Sequence, residues 1–263
     1  MTTMDIDTNA LERDLGFRLL GETFYLQALD QLSVNGLDEP SLVPDWTRKH
    51  VALHVLYNAE GFLRLLEWAK TGVQNPMYPS REWRDQQIAD GVAHTSGADT
   101  ITLAHEVADD LTAELDSMSD DDWGSQVVSG RGADILAAEI PWLRAREVWM
   151  HSLDLGIGMT ARDFPAEVVD RLLDDVDTAW GARDEPVHYR VRLTDRDDRS
   201  ERVIRHGTEG STPAEPIEVT GEAAEVLSYL TGRGWPASVS GDTDKGGTGS
   251  TTPQDLPAPP NWL

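Results

Sequence analysis

The chain has 263 residues, 39% of them apolar, which is enough for one large or two medium-sized domains and too many for a disordered chain. Against 22 Lys plus Arg stand 47 Asp plus Glu, a net charge of −25 that argues against nucleic-acid and anionic-membrane partners. There is no cysteine, so disulfides, thiolate metal sites and cysteine nucleophiles are excluded, and any thiol chemistry needs a thiol brought from outside.

No apolar run approaches the roughly 18–20 residues of a membrane span. Residues 1–12 lack the basic start and apolar stretch of a secretory leader. The expectation is a cytoplasmic protein, with nothing to fix its oligomeric state.

In chain order, residues 11–32 carry leucines at a helical period. Gly36 and Pro40 interrupt, and Pro44-Asp45-Trp46-Thr47 opens a second helix from about Arg48 to Lys70, with Thr47 as N-cap and Gly72 as terminator. A loop through Pro76-Met77-Tyr78-Pro79-Ser80 leads to helices over about 81–89 and 100–118. Residues 126–133 suggest a small hairpin. Pro141 stands in the first turn of a helix running to about Leu155, and another helix is predicted over 165–181. Long helices joined by short loops predict an antiparallel bundle over 1–183.

After Asp184 the period changes. Val187, Tyr189, Val191 and Leu193 alternate with polar residues, a half-buried strand; further strands are expected at 202–206 and 216–220, and a helix at 222–231. A smaller α/β domain over 184–240 results, followed by a Gly/Pro-rich tail, 241–263, whose Trp262 could dock back onto the body.

Among seven histidines, His54 falls on the apolar face of the second helix. Glu147 and His151 stand four apart and project from one side of a later helix. Two imidazoles and a carboxylate in a bundle interior can hold a divalent ion with a fourth position open, the catalytic type of zinc site, although other divalent ions suit such donors too. His50 and His54 are an alternative i,i+4 pair. However, His50 follows Thr47 by three residues, which favours a role in the first-turn cap. His94, His105, His188 and His206 are expected to be solvated. Asp174, Asp175 and Asp177 are expected on one outer helix face, and the tryptophans mostly in core or pocket wall.

The run Glu139-Ile140-Pro141-Trp142-Leu143-Arg144-Ala145-Arg146-Glu147-Val148-Trp149-Met150-His151, with Asp154-Leu155, resembles the signature helix of the mycothiol-dependent maleylpyruvate isomerases. Pro44-Asp45-Trp46-Thr47 with His54, the 76–80 loop leading to Arg84-Asp85, and Leu230-Thr231-Gly232-Arg233-Gly234 are similar to other elements of that family. The resemblance implies a DinB-like four-helix bundle with a C-terminal α/β domain, an α plus α/β fold. It implies a divalent metal, usually zinc, on His54, Glu147 and His151, and mycothiol as thiol cosubstrate. The implied reaction converts maleylpyruvate to fumarylpyruvate in gentisate-type aromatic catabolism. Arg84 and Arg233 stand in matching elements and are the expected carboxylate clamps for the dicarboxylate substrate, because guanidinium binds carboxylate bidentately. Arg144 and Arg146 are the reserves. The alternatives are a mycothiol S-transferase acting on another electrophile and a non-catalytic metal-binding regulatory protein.

Overall fold

The computed structural model describes residues 6–198, 200–234, 240–242 and 256–262. Its contacts divide the chain into two compact units, 1–158 and 159–263. Among the described residues no helix is long and apolar enough to cross a membrane.

The first unit is helical. Its elements are α1 (Thr8–Asp30), α2 (Arg48–Thr71), α3 (Arg81–His94), α4 (Gly97–Asp116), the single turn α5 (Asp120–Trp123), the hairpin strands β1 (Gln126–Val128) and β2 (Asp134–Leu136), and α6 (Ile140–Asp154). Thr47 caps α2 as expected, and Gly72 ends it in the left-handed region at φ 69°, where a side chain would be strained. Pro141 sits in the first turn of α6.

Side-chain pairs fix the helix directions. Residue 144 of α6 meets 22 of α1, and the indole of Trp149 donates to the Phe17 carbonyl, so those two helices run antiparallel. The same opposition relates α2 to α6 (54 with 147, 58 with 144) and α1 to α4 (18 with 112, 30 with 105). Between the helices lies a core that includes Leu53, Phe62, Leu65, Leu66, Leu111 and Ile140. The close approach of α1 to α6 rests on Gly21: a Cβ there would stand 2.7 Å from the Trp149 indole nitrogen.

The second unit contains α7 (Ala166–Ala182), β3 (Val187–Leu193), β4 (Glu201–His206), β5 (Ile217–Gly221), α8 (Ala223–Leu230) and β6 (Ser240–Asp242). The sheet order is β4-β3-β5-β6, with β3 antiparallel to β4 and parallel to β5, and β5 antiparallel to β6. The alternation read from the sequence is real: Val187, Tyr189, Val191 and Leu193 are buried.

Two sequence expectations change here. The helical period of α7 puts it in the bundle, with the boundary at 183/184; it packs instead on α8 and β4, so the second unit begins before it. Its acidic face is outward only in part. Asp174 pairs with Arg202 of β4 (2.5 Å), Asp177 with His206 (2.5 Å), and Asp175 is buried, accepting from the Trp262 indole (3.2 Å). His206 is therefore partnered rather than merely solvated.

The end of the chain docks on this unit through Trp262, which is 1% exposed. Arg183 donates to its carbonyl (3.0 Å), and the Tyr229 hydroxyl donates to the carbonyl of Pro257 (2.7 Å). Residues 243–255 and 263 of the expected tail lie outside the described residues.

Candidate metal centre

The start of α2 is tied to the end of α6, and this brings His54 to the right height. Arg48 donates from Nε to the Leu155 carbonyl (2.7 Å) and from Nη2 to that of Gly156 (3.2 Å), while the Leu42 amide donates to the Asp154 carbonyl (2.9 Å). At its own end the helix is closed by a capping box: the Thr47 amide donates to His50 Nδ1 (3.2 Å) and the His50 amide to Thr47 Oγ1 (3.4 Å). His50 is thus occupied as a cap, as its position three residues after Thr47 suggested.

Four residues after His50, on the broad inner face, His54 Nε2 lies 3.1 Å from Glu147 Oε2, and His151 Nε2 lies 3.4 Å from the same oxygen. The two imidazole rings are edge to face, 4.7 Å between centroids. One ligand atom from each of the three residues lies within 4.8 Å of the others. Donors held at zinc–nitrogen distances around a tetrahedral ion stand about 3.4 Å apart, so these separations fit a shared divalent ion.

Two neighbours shape the cluster. Trp46 covers one side, its ring 5.6 Å from that of His54. Asp154, 1% exposed, accepts at 2.9 Å from His151 Nδ1, which turns His151 Nε2 toward Glu147. Asp154 lies within the signature helix, but the sequence reading gave it no role. Its i+3 spacing from His151 was the available signal.

Charge follows the geometry. Burial lowers the pKa of His54, against an opposing hydrogen bond to Glu147. For Glu147 burial works upward, but hydrogen bonds from His151 and His54 win and hold it well below the usual carboxylate range. For His151 burial works downward, but Asp154 and Glu147 win and push it up to about 9.

Arg84 lies in the same unit. Its Nε and Nη2 both donate to Asp85 Oδ1 (3.0 and 2.7 Å) on the surface, and its positive charge reaches His54 and the Tyr78 phenol. Arg233 belongs to the second unit, where its Nη1 donates to the Thr231 carbonyl (2.9 Å) and its guanidinium carbon lies 5.8 Å from the centre of the Trp262 ring. Of the reserves, Arg144 is committed elsewhere. It is 1% exposed, forks onto Glu22 (Nε 3.0 Å, Nη2 2.7 Å), and also donates to the Val55 carbonyl (2.7 Å) and Asn58 Oδ1 (2.9 Å). Four of its five N–H donors are thus engaged inside the bundle, which leaves no fork for a substrate carboxylate. Trp83, expected in core or wall, is 42% exposed on α3.

A helical bundle with an inward His–Glu–His set, followed by a small α/β unit, defines a class of metal-site bundle proteins with an added C-terminal domain. Within that class the chain belongs to the mycothiol maleylpyruvate isomerase family: the model of the mycothiol maleylpyruvate isomerase N-terminal domain matches residues 21–156, and that of the MDMPI C-terminal domain matches 163–248. Two solved structures are similar over nearly their whole length. A crystal structure of the mycothiol-dependent maleylpyruvate isomerase has 28% identity, covers 96% of this chain and 97% of its own, and superposes with a TM-score of 0.83. A structure of a histidine-to-alanine mutant described by the same enzyme name gives the same values, 28%, 96%, 97% and 0.83. No curated protein matches.

Proposed function

We propose that this chain is a mycothiol-dependent maleylpyruvate isomerase, a cis–trans isomerase that works with a divalent metal, zinc being the first choice. What supports this reading is the inward His54–Glu147–His151 donor set in a chain that belongs to this family and resembles a solved enzyme of that description from end to end. A divalent ion on these ligands would supply a positive charge and an open position, able to favour a thiolate or polarise a substrate oxygen. The chain has no cysteine, so the thiol comes from outside, and the family it belongs to points to mycothiol.

The substrate has a cis double bond conjugated to a carbonyl. Addition of a thiolate makes that bond single, rotation follows, and elimination gives the trans product with the thiol returned. The protein's own part is to hold the groups. His54 and His151 present Nε2 and Glu147 its carboxylate, while Asp154 keeps the other nitrogen of His151 engaged. Trp46 keeps water from one side of His54. Arg84, in the same unit as the donor set, binds a substrate carboxylate, which a chain of net charge −25 would otherwise repel. We place the reaction in the cytoplasm, in gentisate-type aromatic catabolism.

The direct test follows maleylpyruvate spectrophotometrically with metal-loaded protein, with and without mycothiol. Turnover that requires the thiol but does not consume it supports the isomerase. Stoichiometric loss of the thiol would mean a transferase, and metal binding without turnover a non-catalytic protein.

Two substitutions probe the parts. Asp154→Asn removes the charge that orients His151, and metal affinity measured by competition with a chelator is expected to fall about 10–100-fold. Unchanged affinity would make Asp154 a packing residue only. Arg84→Lys keeps the charge but loses the planar fork; losing one charge-assisted bond costs about 1.5–3 kcal/mol, so kcat/KM for maleylpyruvate is expected to fall roughly tenfold to a hundredfold. Metal content and the KM for mycothiol should stay as they were. Unchanged constants would leave Arg84 as a surface partner of Asp85.

A further inference from the structure

The loop that precedes α3 is held more firmly than a connection needs to be. Arg64 of α2 donates from Nε and Nη2 to one oxygen, the Met77 carbonyl, at 3.0 and 2.6 Å. The Met77 side chain is buried, 5% exposed. Next to it, Tyr78 packs where two glycines leave room. A Cβ on Gly61 of α2 would stand 3.0 Å from Met77 Cε and 3.5 Å from Tyr78 Cζ, and a Cβ on Gly130 of the hairpin turn 3.5 Å from Tyr78 Cε2. The end of the ring that carries the hydroxyl therefore lies against α2.

Gly61 follows His54 by seven residues, two helical turns or about 10 Å along the same stripe of α2. The charges that act on the phenol include Glu147 of the donor set and Arg84, the expected carboxylate clamp, beside Arg64 and Arg144. Yet no described residue hydrogen-bonds its hydroxyl. A half-buried phenol held in place by its loop, with its O–H open and without a protein partner among the described residues, is a donor that a ligand entering there can use.

We propose that the Tyr78 hydroxyl is a catalytic hydrogen-bond donor that receives the enolate oxygen formed when the thiol adds to the substrate. This assignment rests on the isomerase reading above. As the sulfur–carbon bond forms, the π pair of the cis double bond moves into the conjugated carbonyl, whose oxygen takes the negative charge. After rotation the pair returns, the sulfur–carbon bond breaks, and the thiolate leaves. Tyr78 keeps its proton throughout, and neither oxidant nor reductant is required. Burial, reinforced by the Glu147 carboxylate, pushes its pKa up to about 12, so it remains a donor across the neutral range. Its benefit falls on the enolate rather than on the ground-state ketone, and so appears in kcat.

The experiment compares wild type, Tyr78→Phe and Tyr78→Leu, each loaded with metal and assayed with maleylpyruvate and mycothiol varied separately. Removing one preorganised donor at an oxyanion is expected to lower kcat of Tyr78→Phe about 10²–10³-fold. The KM for mycothiol, the metal content and the thermal midpoint should hold, because phenylalanine keeps the ring between Gly61 and Gly130. A kcat for Tyr78→Phe equal to wild type overturns the assignment, and if Tyr78→Leu alone is then impaired, the ring is a structural support. A fall in Tyr78→Phe that comes entirely from lost metal or lost stability overturns it as well. Wild type that turns over no maleylpyruvate defeats the isomerase reading and this assignment together; an active wild type with a normal Tyr78→Phe defeats this one alone.

Discussion

Glu147→Ala is expected to leave a helical protein that retains almost no metal and shows no thiol-dependent isomerisation. Its Oε2 is the atom shared by the two imidazoles, 3.1 Å from His54 and 3.4 Å from His151, so removing it takes away the only anionic donor of the three and leaves two imidazoles on separate helices. Loss of an indirect support costs 10–100-fold in metal affinity, and loss of a ligand should exceed about 100-fold. His151→Ala should behave alike. His50→Ala provides the contrast: its ring nitrogen closes the cap of α2, so the expected cost is about 1 kcal/mol of stability with metal retained. Elemental analysis after dialysis, beside far-ultraviolet dichroism, separates the three. Full metal in both Glu147→Ala and His151→Ala would move the site elsewhere, with His50 the first place to look.

Most of this bundle is legible in the sequence because its elements announce themselves locally. The Thr47 cap, the left-handed Gly72, the Pro141 start and the i,i+4 pair on α6 each need only a few neighbouring residues. His54 joins that pair through the apolar face of its helix. What depends on a distant partner is not legible. α7 carries the same helical period as a bundle helix, and only β4 and α8 show that it belongs to the second unit. Asp175 looks like one more solvated acid until the Trp262 indole, 87 residues away in sequence, reaches it. The docking of that tryptophan was foreseeable from its place near the end of a polar tail, but its receptor was not. Tyr78 gives no periodic signal because it stands in a loop. Its position follows from two glycines on other elements, and Arg144 looks available as a clamp until Glu22 is seen to fill it.

The strongest expected effect on stability lies at that last pair. Arg144 joins three helices: Glu22 of α1 through two bonds, the Val55 carbonyl and Asn58 of α2, and its own α6. Both ions are buried, with side chains 2% and 5% exposed, so neither is screened by water. Glu22→Ala leaves the guanidinium without its counter-charge, and breaking a buried pair in this way costs about 3–5 kcal/mol. For a chain of this size each kcal/mol lowers the thermal midpoint by about 2–4 °C, giving a fall of roughly 10 °C if the bundle melts as a unit. The double variant Glu22→Leu, Arg144→Met removes both charges and fills the space, and it should recover most of the loss, since apolar replacements of buried ion pairs are often neutral or stabilising. It should not recover the site equally. Arg144 stands one turn before Glu147 and grips the carbonyl beside His54, so it sets the height of α2 against α6 where the three donors meet. The expected result is a double variant with a near-normal midpoint and weakened metal binding. A double variant that melts as early as Glu22→Ala would show that the ion pair itself stabilises the bundle. One that binds metal like wild type would confine Arg144 to stability, leaving the tie from Arg48 to Leu155 and Gly156 to align the two helices.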